Sequence, residues 1–369
     1  MKLVAAIKLK PSKEQAQALK ETLVRCNEAC NWIAAHGFDA STTRQFALHK
    51  LTYAEARERF SLAAQVAVRS IAKVADAFKI NRKAAPVFRR YAAQPYDERL
   101  FSFRSGLLSI WTLGGRIKVP FVTGERQQAA LAFRKGEADL ALIRGKWFLI
   151  CVCDVPETDV FDPKDWIGVD LGIANIATTS DDERFCGEMM LKTHERFARA
   201  RAHHQRRAAK TAKRSIRRNQ RRKLRALSGR EGRFRRHENH CISKALVATA
   251  ERTGRGLALE DLTHIRSRAK AMSKKQRGRL HRWSFRQLRS FVGYKAALAG
   301  VPVVLVNPAY TSQCCSSCGS IDKGNRPNQS TFSCLACGHT EHADQNAAKT
   351  IRSLARGQLT RPEYSRKAA

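Results

Sequence analysis

The sequence predicts an α/β protein in two parts. An N-terminal β-barrel-like module carries a helical insertion, and a C-terminal α/β domain has a zinc ribbon inserted into it. Three observations predict this. Short alternating strands with turn residues between them run from about Leu100 to Cys153, behind a strongly helical stretch. From Trp166 onward, strand patterns and helix patterns follow one another. Near the end stand two Cys-x-x-Cys pairs, Cys315/Cys318 and Cys334/Cys337, with fifteen residues between them. That spacing is the pattern of a four-thiolate zinc site.

The charge balance narrows the function class. Sixty-nine Lys and Arg stand against 32 Asp and Glu, a formal net charge of +37. That imbalance argues against a metabolic enzyme of small neutral substrates and for a polyanionic partner: nucleic acid first, an anionic membrane surface second. No segment approaches the roughly 20 apolar residues that span a bilayer. The first ten residues, broken by Lys8 and Lys10, have no signal-peptide architecture. Of eleven cysteines, those outside the ribbon show no paired framework, so reduced thiols and a cytoplasmic, nucleoid-associated location are expected.

In residues 1–155, Leu3 to Leu9 alternates as a strand. Ser12 with Gln15 forms a capping-box signature, opening a helix with Leu19, Leu23, Cys26, Cys30 and Ile33 at helical spacing. A second helix is expected from about Tyr53 to Phe78, so the helical insertion covers about residues 12–95. Two hairpins follow, Leu107–Leu113 turning at Gly114-Gly115 and Leu140–Cys153 turning at Arg144-Gly145-Lys146. Together these strands make a small barrel or sandwich. Residues 156–165, acidic and bracketed by prolines, read as a linker.

In residues 166–310 the first strand, Trp166-Ile-Gly-Val-Asp170-Leu-Gly-Ile173, alternates. Ile167, Val169, Leu171 and Ile173 face one side; Gly168, Asp170 and Gly172 face the other. A carboxylate between two glycines has room beside it for another backbone or a metal-bound substrate. Between Arg196 and Arg236 lie eighteen Lys or Arg and one acid, Glu231. Only Ala208, Ala212, Ile216, Leu224 and Leu227 could form a packing stripe, which predicts a phosphate-tracking helix hairpin. Leu257–Leu262 reads as a buried strand ending in Glu260 and Asp261, which point to opposite sides, so only one can join Asp170. Ser284 and Gln287 cap a helix bearing Phe285, Leu288, Val292 and Ala296, stopped at Gly300; Val301–Val306 is read as a buried strand. The ribbon occupies residues 311–340, where His339 and His342 could substitute as ligands. In residues 341–369, Asp344 lies in register with Ala347, Ala348, Ile351 and Leu354, so it points at the sheet rather than serving only as a helix cap.

Asp170, Glu260 and Asp344 form a candidate acidic cluster. Three ionised carboxylates repel one another and need cations. Hard oxygen ligands select Mg²⁺ or Mn²⁺. Two ions about 3.5–4 Å apart could activate water and stabilise the leaving oxygen in phosphodiester hydrolysis.

The motifs Gly-Val-Asp170-Leu-Gly-Ile, Leu-Glu260-Asp-Leu, Tyr294-Lys-Ala, Tyr310-Thr-Ser-Gln, the two cysteine pairs and Ala343-Asp344-Gln-Asn346-Ala-Ala resemble the RuvC-type nuclease of the transposon-encoded TnpB family. The type V CRISPR effector nucleases share this pattern. The resemblance covers about residues 166–355 and implies an RNase H-like (RuvC) fold and RNA-guided cleavage of target DNA. It puts catalytic, Mg²⁺-binding roles on Asp170, Glu260 and Asp344, and a structural Zn²⁺ on Cys315, Cys318, Cys334 and Cys337. Guide RNA would lie in the basic channel, with a short DNA motif read by the N-terminal part. Asp261 and Asn346 take support roles. Thr350 stands where the family often has Asn, which bears on helix packing. Other readings remain: a guided DNA-binding repressor or transposition accessory protein without cleavage, a strand-joining transposase, or a regulator using only the ribbon. All three acids are present, and no Tyr with a His-x-His pair is found, so a metal-dependent DNA endonuclease leads.

Overall fold

The computed structural model describes residues 1–172, 174–262 and 285–357. Ile173, Ser284 and the tail 358–369 lie outside the described residues. The chain forms two compact units, Met1–Pro156 and Glu157–Ala369.

The first unit contains β1 (Lys2–Leu9), α1 (Lys13–Asp39), α2 (Gln45–Phe60), α3 (Ala64–Ile80), β2 (Gln94–Tyr96), β3 (Phe101–Arg104), β4 (Leu107–Thr112), β5 (Gly115–Val122), α4 (Glu125–Leu131), β6 (Arg134–Ile143) and β7 (Lys146–Asp154). Its seven strands are ordered β2-β6-β7-β1-β5-β4-β3. Alternation sets the inner face: on β7, Trp147, Leu149, Cys151 and Cys153 are buried, and β1 pairs with that strand from Lys2↔Asp154 to Leu9↔Trp147. The sheet curls into a near-closed barrel, with the Tyr96 hydroxyl of edge strand β2 donating to the Trp111 carbonyl of β4 at 3.1 Å. The expected hairpins form, Thr112 opposite Gly115 and Ile143 opposite Lys146.

Helix α1 begins at the Ser12 capping box. Its first half packs Leu19, Leu23 and Cys26 into the barrel core. Its second half packs Cys30 and Ile33 into a separate cluster with Leu48, Ile71 and Phe78. The single helix expected over Tyr53–Phe78 is two helices. Ser61, in the left-handed region (φ 51°), ends α2, and α3 starts at Ala64. Leu62 is buried within the break, so the apolar period carries across it and conceals it in the sequence.

The second unit contains β8 (Trp166–Asp170), β9 (Asn175–Thr179), β10 (Arg184–Cys186), α5 (Glu188–Ala209), α6 (Arg214–Thr253), β11 (Gly256–Glu260), α7 (Phe285–Ala299), β12 (Val303–Val306), β13 (Thr331–Ser333), β14 (Thr340–His342) and α8 (Ala343–Ala355). The five-stranded sheet runs β10-β9-β8-β11-β12. β8, β11 and β12 are parallel, and β9 and β10 are antiparallel additions. On one face Ile167, Val169, Leu257 and Leu259 join Leu246, Ala250, Leu288 and Val292 of α6 and α7 in a core. The opposite face receives α8, where Ala258, Val306 and Ile351 cluster.

Two expectations are corrected here. β12 is an edge strand with Val303 and Leu305 exposed, so its apolar run does not mark burial on both faces. The basic segment does fold into a helix pair, α5 and α6, with only part of the expected apolar stripe covered: Ala208, Leu224 and Leu227 are half-buried. Ile216 is exposed. Buried polar side chains join the pair as well: Glu231 accepts from Arg201 at 2.5 Å and pairs with His194 at 2.8 Å, and His204 pairs with Gln220 at 2.8 Å. The apolar C-terminal half of α6 anchors the pair to the sheet.

Asp165, just before β8, accepts from Arg352 and Arg356 of the α8 end. Burial raises its carboxyl, but those guanidinium bonds outweigh it and hold the group below the usual carboxylate range. Gly168 fixes the other contact with α8. A Cβ there would overlap the Ala348 carbonyl oxygen and come within 2.6 Å of Arg352 N. Gly168→Ala should therefore destabilise the second unit at the upper end of the ~1–3 kcal/mol cost of overpacking, read as a lowered urea midpoint. An unchanged midpoint would contradict the close approach.

Candidate active site and zinc ribbon

Asp170 and Glu260 end adjacent parallel strands. The register pairs Leu259 with Val169, so the residues that follow, Glu260 and Asp170, share a row. Side chains in one row of a sheet point to one face, here the α8 face. The carboxyl ends of parallel strands are where α/β folds place their ligands. α8 supplies the third acid. His342 is its N-cap, its ring accepting from Asp344 N at 3.3 Å, so Asp344 sits inside the first turn rather than capping it. One turn later, Ala348 passes over Gly168.

The three carboxylates influence one another. Burial, then the charges of Glu260 and Asp344, push the Asp170 carboxyl well above its ordinary value, against the pull of Arg326. Burial likewise raises Glu260, opposed by a hydrogen bond from Thr311 and by Arg326. An acid beside like charges in a poorly solvated place resists ionisation until a cation arrives. Among the described residues these oxygens do not all lie within 4.8 Å of one another, unlike the four thiols of the ribbon. The donor set, hard oxygens short of positive charge, fits a divalent cation. Asp261, the neighbour excluded from the cluster by strand alternation, points away and pairs with Arg289 at 2.6 Å.

Three further residues complete the surroundings. Thr311 donates to Glu260 Oε1 and is itself buried. Asn175 donates to Asp344 Oδ2 at 2.9 Å. Arg326 reaches from the ribbon to within 3.7 Å of Asp344. Thr311 lies in the Tyr310-Thr-Ser-Gln motif, a signal present in the sequence. Asn175 and Arg326 had none, because nothing local distinguishes Arg326 from its neighbour Lys323.

In the ribbon each Cys-x-x-Cys pair forms a knuckle closed by a glycine in the left-handed region, Gly319 (φ 76°) and Gly338 (φ 72°). The amides of these glycines donate to Cys315 O at 2.9 Å and Cys334 O at 3.0 Å. All eleven cysteines are free thiols. The Cys315–Cys337 and Cys318–Cys334 sulfurs lie 3.7 and 3.6 Å apart. Tetrahedral zinc with Zn–S bonds of about 2.3 Å needs sulfur separations of about 3.8 Å, so the cluster fits a structural Zn²⁺. His339 pairs with Glu341 and His342 caps α8, which gives both candidate substitutes other work. Asn346 stitches ribbon to helix, donating to Cys314 O at 2.8 Å and accepting from Ser316 N at 2.9 Å. The Thr350 hydroxyl donates to the same carbonyl at 3.2 Å.

Metal analysis of the purified protein should find one tightly held zinc per chain, absent from a Cys315→Ser/Cys318→Ser variant. Because Cys314 and Ser316 hold α8 through Asn346, that variant should also lose thermal stability in the second unit. Full zinc occupancy in the variant would move the ligands elsewhere.

Residues 150–266 match the OrfB_IS605 family, described as "Probable transposase". Residues 285–351 match the Cas12f1-like TNB domain. The chain is 42% identical over 119 residues to a CRISPR-associated endodeoxyribonuclease Cas12f1 of Sulfoacidibacillus thermotolerans, covering 32% of this chain and 26% of that protein. Against the protein of the same name from Syntrophomonas palmitatica it is 32% identical over 206 residues, 53% of this chain and 40% of that protein. A TnpB-like protein of Methanocaldococcus jannaschii is 44% identical over 92 residues, 25% of this chain and 33% of that protein. The matches thus span well under half of each relative. Among solved structures, the Cas12f1–sgRNA–target DNA complex holds a chain of similar fold, with a TM-score of 0.61 at 15% identity, covering 92% of this chain and 83% of that one. The fold is thus RuvC-like with a four-cysteine ribbon and an N-terminal barrel. Residues 150–266 are thus similar to the OrfB_IS605 transposase family, and residues 285–351, which carry the four cysteines, to the Cas12f1-like TNB domain.

Proposed function

We propose that this protein is an RNA-guided, Mg²⁺-dependent DNA endonuclease in which Asp170, Glu260 and Asp344 are the catalytic acids. The observation that carries the reading is the convergence of three carboxylates at the ends of β8 and β11 and the start of α8, with Asp170 pushed strongly toward its protonated form. A fold gains nothing from such repulsion unless a cation is to be held there. Bound Mg²⁺, in the two-ion arrangement that such acids serve, would activate a water and stabilise the leaving 3′ oxygen. The chain's own groups do the rest. Thr311 and Asn175 fix the carboxylate directions, and Arg326 offers positive charge beside the scissile phosphate. The exposed arginines of α5 and α6 hold nucleic-acid backbone. Support for guidance by RNA comes from the relatives, named as CRISPR-associated endodeoxyribonucleases, and from the sgRNA and target DNA of the complex with similar fold.

Asp170→Ala, Glu260→Ala and Asp344→Ala should each lower cleavage by at least about 10³-fold, an estimate for the loss of a metal ligand, while leaving DNA affinity nearly unchanged. Because protons compete with Mg²⁺ for carboxylates whose acid forms are favoured, cleavage at fixed Mg²⁺ should fall as pH falls. Near wild-type cutting by Glu260→Ala would transfer its role to another acid.

Expressed with its native flanking sequence, the protein should retain one discrete RNA through about 0.5 M salt, where loose phosphate contacts weaken. The 3′ portion of that RNA should determine which DNA is cut. An RNA-free protein cutting at a fixed sequence would leave an ordinary endonuclease in place of a guided one.

A further inference from the structure

The barrel carries a feature that neither the acidic site nor the zinc ribbon uses. Phe103 of β3 and Phe121 of β5 lie side by side, ring centroids 5.2 Å apart and planes at 75°. Both sit on the alternation that faces the barrel interior, in line with the buried Phe101 and Val119, yet neither is fully covered. They line a cleft of about 540 Å³ together with Arg104, Val122, Thr123 and Gln128. Arg134 backs the pair, its guanidinium carbon 4.8 Å from the Phe101 ring centre and 5.9 Å from that of Phe103. One of its terminal nitrogens is buried without a hydrogen-bond partner.

A purely structural aromatic pair would be closed over by the barrel. These rings instead border a cleft with the exposed Arg104 on its rim and the half-buried Arg134 behind them. The volume suits one or two nucleotides within the usual range of ligand sites. Flat π-faces accept any nucleobase by stacking, and the adjacent Arg104 can hold the phosphate that follows it. Thr123 and Gln128, whose side-chain oxygens lie 3.0 Å apart, offer hydrogen-bonding groups for a base edge.

We propose that the Phe103–Phe121 cleft is a stacking subsite for an unpaired nucleobase of a single-stranded nucleic acid. This rests on the reading of the chain as a nucleic-acid enzyme, but it is independent of cleavage. Single-stranded RNA and DNA share the chemistry, and the test separates them.

The test is titration of the full-length protein with matched RNA and DNA 12-mers carrying one 2-aminopurine, whose fluorescence is quenched on stacking, at a salt concentration that weakens phosphate contacts. The unsubstituted protein should quench the probe. Phe103→Leu and Phe121→Leu should bind roughly tenfold more weakly, as expected for loss of a base–aromatic stack, with an unchanged salt slope. Phe103→Trp should retain quenching, and Arg104→Gln, on the exposed rim, should lower affinity severalfold and reduce the salt slope. Greater quenching by one 12-mer assigns the subsite to that strand type. Leucine variants that bind and quench like the parent would overturn the proposal, as would equal loss in the Trp and Leu variants with Arg104→Gln unaffected. Failure of the parent protein to bind either strand would overturn the nucleic-acid reading as well. Absence of DNA cleavage by the unsubstituted protein, with quenching intact, would count against the endonuclease reading alone.

Discussion

The second unit depends on how closely the backbone of α8 can lie on β8. The approach is possible because Gly168 has no side chain and its row neighbour on β11 is Ala258. With that pair in place, α8 can bury Ala347, Ala348 and Ile351 while its first turn reaches the strand ends. The position of Asp344 beside Asp170 and Glu260 follows from this contact. A larger residue at position 168 would lift the helix and separate the third carboxylate from the other two. Asp165 secures the opposite end by accepting from Arg352 and Arg356, so α8 is held at both ends of β8.

Holding three acids together has an electrostatic cost that the surrounding residues only partly offset. Arg326 lowers the acidity penalty on Asp170 and Glu260, and Thr311 directs a hydroxyl at Glu260. One guanidinium cannot neutralise three carboxylates, so the site remains short of positive charge. The ribbon matters here beyond its metal. It carries Arg326, and its first knuckle grips α8 through Asn346 and Thr350. The zinc cluster therefore fixes both the cation beside the acids and the helix that bears one of them. This explains in physical terms why the ribbon and the last acid lie so near each other in the chain.

Much of this was legible in the sequence because it rests on local periodicity. The alternation of Trp166–Asp170 predicted that Gly168 and Asp170 share a face, and the helical register of Asp344 predicted that it points at the sheet. The same alternation separated Glu260 from Asp261. Where the reading failed, the deciding contacts were not local. The break at Ser61 preserves the apolar phase on both sides, so periodicity runs straight through it. Val303 and Leu305 are apolar but exposed because β12 is the last strand of its sheet, and edge position is a property of topology. Arg326 and Asn175 belong to the site through contacts with residues 18 and 169 positions away, which no window of sequence contains.

The basic hairpin shows how the same chain trades apolar packing for charge. An amphipathic helix usually gives roughly three positions in seven to an apolar stripe, but from Arg196 to Arg236 the covered positions mix Phe197, Leu224, Leu227 and Phe234 with the polar His204, Gln220 and Glu231. The pair is also joined by Glu231, the single acid among eighteen Lys and Arg, which binds His194 and Arg201. Burial raises the Glu231 carboxyl, yet the bonds from Arg201 and His194 outweigh it and hold it below the ordinary value. A carboxyl lowered on folding contributes stability above its unfolded pKa and loses it as pH falls through the folded value. One ion-paired acid thus supplements a thin apolar stripe, and the exposed arginines of the hairpin are left free to meet phosphate.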